Sequence, residues 1–176
     1  MPKGFTLLEI VIAILLIGIM SALIVPRITR RGTKPEDELV TNLSALTQVA
    51  ATNALMTGKL HRILFDFKRS LLELQQEREE KGAQEKKFDP VKIDYLKTAI
   101  NWPDVLELRN FYINGKDEMT QGAGISTPQV WFFISPDGLA QDAVINIENR
   151  QTHAQRGLVI NPFTAQFTVH DEFQKP

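Results

Sequence analysis

Residues 10–25 read IVIAILLIGIMSALIV, and residues 5–26 contain a single charge, Glu9. At about 1.5 Å per residue an α-helix over residues 5–26 would reach about 30 Å, close to the hydrocarbon thickness of a bilayer. Two ordinary readings compete for such a segment. A secretory signal peptide would use Lys3 as its charged start, but the small-x-small cleavage site that should follow the run is missing, and the run is long for a signal core. An uncleaved signal anchor fits the length and leaves Glu9 unexplained. An ionisable group within a membrane segment costs on the order of 3 kcal/mol near the centre and marks function. In the first turns of a helix the macrodipole reduces that cost.

The residues around Glu9 supply its context. Lys3-Gly4-Phe5-Thr6-Leu7-Leu8-Glu9 closely resembles the processing motif of type IV pilins and type II secretion pseudopilins. The resemblance implies that a prepilin peptidase cuts between Gly4 and Phe5 and that the new N-terminal Phe5 is methylated. Counted from Phe5, Glu9 then stands fifth in the mature chain, where that family carries its glutamate. A new α-amino group at Phe5 would lie a few residues from such a carboxylate. A neighbouring subunit's ammonium could therefore neutralise Glu9 in hydrocarbon and set the register between subunits. Gly18 and Pro26 fall where anchors of this family commonly carry a glycine and a helix-bending proline.

The division that follows is a leader at residues 1–4, a single-pass anchor helix at 5–32 and a periplasmic head at 33–176, held in a bacterial inner membrane. The flanking charges lean the other way. Lys3 alone precedes the span, whereas Arg27, Arg30, Arg31 and Lys34 follow it, and the positive-inside tendency favours the opposite orientation. Cleavage requires a cytoplasmic leader, so the expected topology follows the motif.

From Thr33 the pattern is that of an amphipathic helix. Thr33-Lys34-Pro35-Glu36 has capping-box spacing, and Glu36, Asp37 and Glu38 place negative charge in the first turn. Leu39, Leu43, Leu46 and Ala50 recur at helical spacing and Gly58 marks a stop. Beyond it the texture turns to short β-rich segments. Ile63, Phe65 and Phe67 alternate with Arg62, Leu64, Asp66 and Lys68, the period of a half-buried strand. Residues 71–76 form its hairpin partner across Lys68-Arg69-Ser70, with a helix from Ser70 as the competing reading. Residues 77–87 read as a charged, solvated loop. Asp89-Pro90 starts a short helix near residues 93–99. Residues 105–113 are a strand and 114–128 a polar loop. Residues 130–134 are a central strand, and Ser135-Pro136-Asp137-Gly138 is a turn. Three more strands are expected at 143–147, 158–160 and 166–169. One long helix followed by antiparallel strands gives an α+β fold.

The early hairpin, the stretch Phe132-Phe133-Ile134-Ser135-Pro136-Asp137-Gly138 and the final strand-turn-strand are similar to those of the H-type minor pseudopilin, general secretion pathway protein H, and of FimT-type minor pilins. Such proteins commonly carry Thr-Gly in the last turn, where this chain has Thr164-Ala165. The resemblance implies a structural, non-enzymatic subunit of the type II secretion pseudopilus that assists protein export across the outer membrane. Its partners would be other pseudopilins or pilins, the prepilin peptidase, the inner-membrane assembly platform, membrane lipid and exported proteins. A minor pilin of a type IV pilus, acting in assembly priming or DNA uptake, is the alternative within the class. A signal-anchored envelope enzyme or ligand-binding domain is the alternative outside it.

The remaining residues weigh against that last alternative. Lys and Arg number 20 against 21 Asp and Glu, so no basic footprint for nucleic acid exists. The chain has no cysteine, which excludes disulfides and thiolate metal sites. His61, His153 and His170 are far apart, with no i,i+4 pair to hold a metal. No G-x-S-x-G, P-loop or G-x-G-x-x-G motif is present. Asp137 and Asp142 flank a turn and are too few for calcium, which takes six or more oxygens. No cofactor is expected.

Overall fold

The computed structural model describes residues 7–29, 34–78, 86–119 and 128–176. The chain divides into two compact units, Met1–Lys34 and Pro35–Pro176. The first holds helix α1, Leu7–Thr29, with Glu9 in its first turn. Gly4 and Phe5, and Thr33 as a helix cap, lie outside the described residues.

The second unit opens with helix α2, Pro35–Thr57. Proline suits the first helical position because its missing N–H has no intrahelical partner there. Glu36, Asp37 and Glu38 meet the positive end of the dipole, as the sequence predicts. Leu39, Leu43, Leu46, Ala50 and Ala54 are buried, one apolar stripe at helical spacing. The helix stops where Gly58 turns left-handed at φ +63. The Gly58 N–H still reaches the Ala54 carbonyl at 2.8 Å, an end that a residue with a Cβ would form at a cost.

Two antiparallel sheets share the core with α2. The first contains β1 (His61–Asp66), β2 (Leu71–Arg78), β3 (Lys87–Pro90), β4 (Ala99–Asn101) and β7 (Gln129–Ile134) in the order β3-β2-β1-β7, with β4 also on β2. The second runs β10-β9-β8-β5-β6, from β5 (Leu106–Ile113), β6 (Lys116–Asp117), β8 (Ala143–Asn149), β9 (Gln155–Asn161) and β10 (Gln166–His170). Ile63, Phe65, Leu72, Leu74, Val130, Phe132 and Ile134 from one sheet and Phe111, Ile145, Ile147, Leu158 and Ile160 from the other form a single cluster with the α2 stripe. Phe65 stands edge-on to Phe111, ring centroids 5.2 Å apart.

The β1–β2 hairpin settles the ambiguity at Ser70 in favour of strand. Leu72 and Leu74 are fully buried while Leu71 and Glu73 face outward, a period of two that a helix would scramble. Three expectations need correction. The helix near 93–99 does not form. The Val91 N–H donates to the Leu74 carbonyl, and the Leu74 N–H donates to the Thr98 carbonyl, so the β2 backbone holds both sides of this segment. Pairing with β2 therefore outweighs a local helix start. Residues 77, 78 and 87 are not loop: Glu77 pairs with Phe88 and Arg78 with Lys87. Residues 130–134 form an edge strand rather than a central one, since among the described residues β7 pairs along its length only with β1. The final turn closes without the glycine, as Ala165 itself adopts φ +53. Its N–H bonds the Asn161 carbonyl at 2.8 Å, and Asn161 Oδ1 accepts from the Phe163 and Thr164 N–H groups.

Candidate functional site

On α1 the apolar side chains point in every direction. Leu7, Ile10, Val11, Ile14, Leu15, Ile17, Ile19 and Met20 are all exposed. A helix that is apolar all round has no side suited to water and is matched to lipid or to other helices. Among the described residues no helix is long and apolar enough to cross a membrane. The described side chains of α1 end at Met20, although its backbone runs on through Pro26 to Thr29. A side chain added at Gly18 would meet nothing within 4 Å. That position leaves a flat notch which a neighbouring helix could approach closely.

The head carries a cluster of aromatic rings around one arginine, on the face of the first sheet away from α2. Arg62, Leu64 and Asp66 alternate with the core-facing residues of β1, and their register partners Phe133, Trp131 and Gln129 lie beside them on β7. The Arg62 guanidinium sits 4.3 Å from the centroid of the Phe88 ring on β3 and 5.1 Å from that of Trp131 on β7. Arg62 Nε donates to Gln75 Oε1 on β2 at 2.9 Å. One cation thus ties together four of the five strands of this sheet, and the aromatic faces stabilise it by cation–π attraction. Trp131 remains 39% exposed. The alternation in residues 129–134 places Trp131 and Phe133 on one face. The arginine that covers them could not be read from the sequence, because Phe88 is distant along the chain.

At the end of the head where α2 stops, three segments meet. A Cβ at Gly138 in the turn after β7 would lie 2.9 Å from Leu55 Cγ on α2. The Ala140 N–H donates to the Pro162 carbonyl, and Gln48 Nε2 donates to the Thr164 carbonyl. Leu55, Met56, Leu139 and Phe163 are exposed there.

The histidines are not brought together. His61 is buried at the start of β1, its Nδ1 2.9 Å from the Lys59 carbonyl. His153 pairs with Glu148 at 3.0 Å on the second sheet, and that hydrogen bond, ahead of one from Arg109, lowers the Glu148 pKa. A cleft of about 420 Å³ lies over Trp102, Phe67 and Met119, with Lys68, Asp104, Glu107 and Arg150 at its rim. Among the described residues no group of three or more His, Asp or Glu is placed to hold a metal ion.

Comparison with known proteins agrees with both units. Residues 2–25 match the prokaryotic N-terminal methylation motif. The chain is similar to a solved structure of the minor pseudopilin EpsH from the type 2 secretion system of Vibrio cholerae. That match covers 81% of this chain and 100% of the other, with 10% identity and a TM-score of 0.57. A second structure of the same Vibrio cholerae protein matches over 78% of this chain and 99% of that one, with 11% identity and a TM-score of 0.49. No match was found among curated proteins. The chain therefore carries a type IV pilin-like methylation motif at its N-terminus and has the α+β fold of a minor pseudopilin.

Proposed function

We propose that the chain is a minor pseudopilin, a structural subunit of a type II secretion pseudopilus that assists protein export across the outer membrane. One observation carries the reading: a methylation motif over residues 2–25 spans most of α1, whose one acidic residue is Glu9, and the same chain continues into a head with the EpsH fold. Cleavage between Gly4 and Phe5 and methylation of Phe5 prepare the anchor for assembly. Gly4 suits the peptidase site because it has no side chain to exclude. Glu9 then accepts the Phe5 ammonium of a neighbouring subunit, and Gly18 and Pro26 shape the packing and bend of the anchor. The anchor lies in the bacterial inner membrane as a single span, with the head in the periplasm. Sibling pseudopilins, the peptidase and the assembly platform are its partners, and its work is mechanical.

Mass spectrometry of the native protein tests the reading. The N-terminus should be a methylated Phe5, and an intact Met1 in the assembled protein would overturn it. Protease added to spheroplasts should remove the head. A head protected until the inner membrane is broken would mean that Arg27, Arg30 and Arg31 set the orientation.

A further inference from the structure

On the face of the second sheet away from the core, one buried carboxamide holds the backbone of the chain's last segment. Along β8 the residues Ala143, Ile145 and Ile147 enter the core, which leaves Asn146 on the opposite face. Asn146 is nonetheless only 1% exposed. The segment after β10, residues 171–176, covers it. Asn146 Oδ1 accepts from the Gln174 N–H at 2.9 Å, and Asn146 Nδ2 donates to the Gln174 carbonyl at 2.9 Å. One carboxamide thus binds both backbone groups of a single residue, as a neighbouring strand would.

Gly157 on β9 is the register partner of Asn146. A Cβ there would lie 2.5 Å from the Glu172 carbonyl oxygen and 2.7 Å from Gln174 Cγ. The missing side chain is what admits the crossing backbone. Arg156 fixes the start of the segment. Its Nη1 lies 2.9 Å from Asp171 Oδ1, and its Nη2 lies 3.2 Å from Asp37 on α2. Asp37 holds the guanidinium in place whether or not Asp171 is present.

These groups recognise a kind of chain rather than one sequence. Asn146 reads main-chain polarity, Gly157 demands close backbone approach, and Arg156 favours a carboxylate three residues before the clamped one. The side chains at both ends of the covering segment are exposed, Asp171 at 91% with Glu172, Lys175 and Pro176, so the Asn146 and Gly157 contacts to its backbone are what hold it. If it lifts away, water can satisfy Asn146, so release strands no buried polar group. We propose that this face is a peptide-binding slot, filled in cis by residues 171–174. Its partner in trans is an extended segment of another protein led by an acidic residue. The proposal does not depend on the pseudopilin reading.

The test uses the detergent-solubilised chain shortened to end at His170 and a fluorescent peptide with the sequence of residues 170–176. The shortened chain should bind the peptide saturably, and the intact chain about tenfold more weakly, because its own segment competes. Asn146→Ala or Gly157→Val in the shortened chain should weaken binding by about tenfold or more, the scale of a lost hydrogen-bond pair or a blocked approach. Replacing the aspartate of the peptide with asparagine should weaken binding most at low salt. A shortened chain that keeps the parent's thermal melt but binds no peptide overturns the proposal, as does equal binding by the Asn146→Ala variant. If shortening abolishes the melt, the intact chain carrying Asn146→Ala replaces it. The amides of residues 172–174 should then lose hydrogen-exchange protection while β8 and β9 keep theirs. Retained protection at 172–174 would show a fixed structural strap and refute the slot.

Discussion

Replacing Asp66 with alanine should destabilise the head by about 3 kcal/mol, the scale of losing several hydrogen bonds to one buried carboxylate. Asp66 ends β1, is 4% exposed, and accepts three bonds. Oδ1 takes the Arg69 N–H at 3.0 Å, and Oδ2 takes Arg69 Nε at 2.8 Å and Gln129 Nε2 at 2.6 Å. The first two shape the β1–β2 turn, and the third joins that turn to β7. Deletion leaves the Arg69 N–H and the Gln129 amide without their acceptor. The Arg69 side chain is half exposed, so water replaces its ion pair and little of the loss comes from there. For a domain of this size the melting temperature should fall by about 10 °C. Asp66→Asn, which keeps an acceptor and loses the charge, should fall between the parent and the alanine variant.

The pH dependence gives a second readout of the same group. Burial alone would raise the Asp66 pKa, but the hydrogen bonds from the Arg69 side chain and backbone and from Gln129 outweigh it and lower the value below 3.8. The stability is therefore fully present above the unfolded pKa and is lost as pH falls through the folded one. Thermal melts of the head, followed by circular dichroism from pH 7 to the acid range, measure both effects. A melting point for Asp66→Ala within about 2 °C of the parent, well inside the shift expected for this domain size, would refute the reasoning.

Glu9→Ala should insert normally, since it removes a charge from the bilayer, but should fail to co-purify with sibling subunits; normal incorporation would show that the ion pair is dispensable. His61 should make the head less stable below neutrality. Burial is the main cause that lowers its pKa from 6.5, outweighing the hydrogen bonds with the Lys59 carbonyl and the Gln76 side chain that would raise it. Stability is thus complete above 6.5 and declines as pH falls toward the lowered folded value. Denaturant titrations at several pH values should show that slope, and His61→Leu should remove it. Phe111→Ala should cost about 3–5 kcal/mol, the usual range for emptying a phenylalanine site in a packed core, measured as a lower denaturant midpoint with an unchanged m-value.

The elements that the sequence makes legible are those whose physics is local. The buried stripe Leu39, Leu43, Leu46 and Ala50 appears where helical spacing puts it, and Gly58 stops the helix because left-handed backbone favours glycine. The strands at β1, β5, β8, β9 and β10 announce themselves by alternation and by the turns between them. The expectation failed where a distant partner decides the outcome. Residues 93–99 behind Asp89-Pro90 look locally like a short helix, yet Leu74 hydrogen-bonds Val91 on one side of the segment and Thr98 on the other. Residues 130–134 read as a central strand, yet among the described residues β7 pairs along its length only with β1, while Arg62 lies over Trp131 and Phe88 beside Phe133 on its second face.

The anchor and the head divide along the same line. A run of apolar residues broken by one glutamate, opened by Lys3-Gly4-Phe5, carries its meaning in order and spacing, because a peptidase or a bilayer would read a linear segment. The sequence alone therefore pointed to processing, anchoring and the α+β class. The cation between Phe88 and Trp131, the Asp66–Gln129 bond and the slot formed by Asn146, Gly157 and Arg156 exist only after folding. Each joins residues on different strands or on β9 and α2. Their placement depends on sheet order and register, which are set by the packing of the whole core rather than by any segment's own propensity.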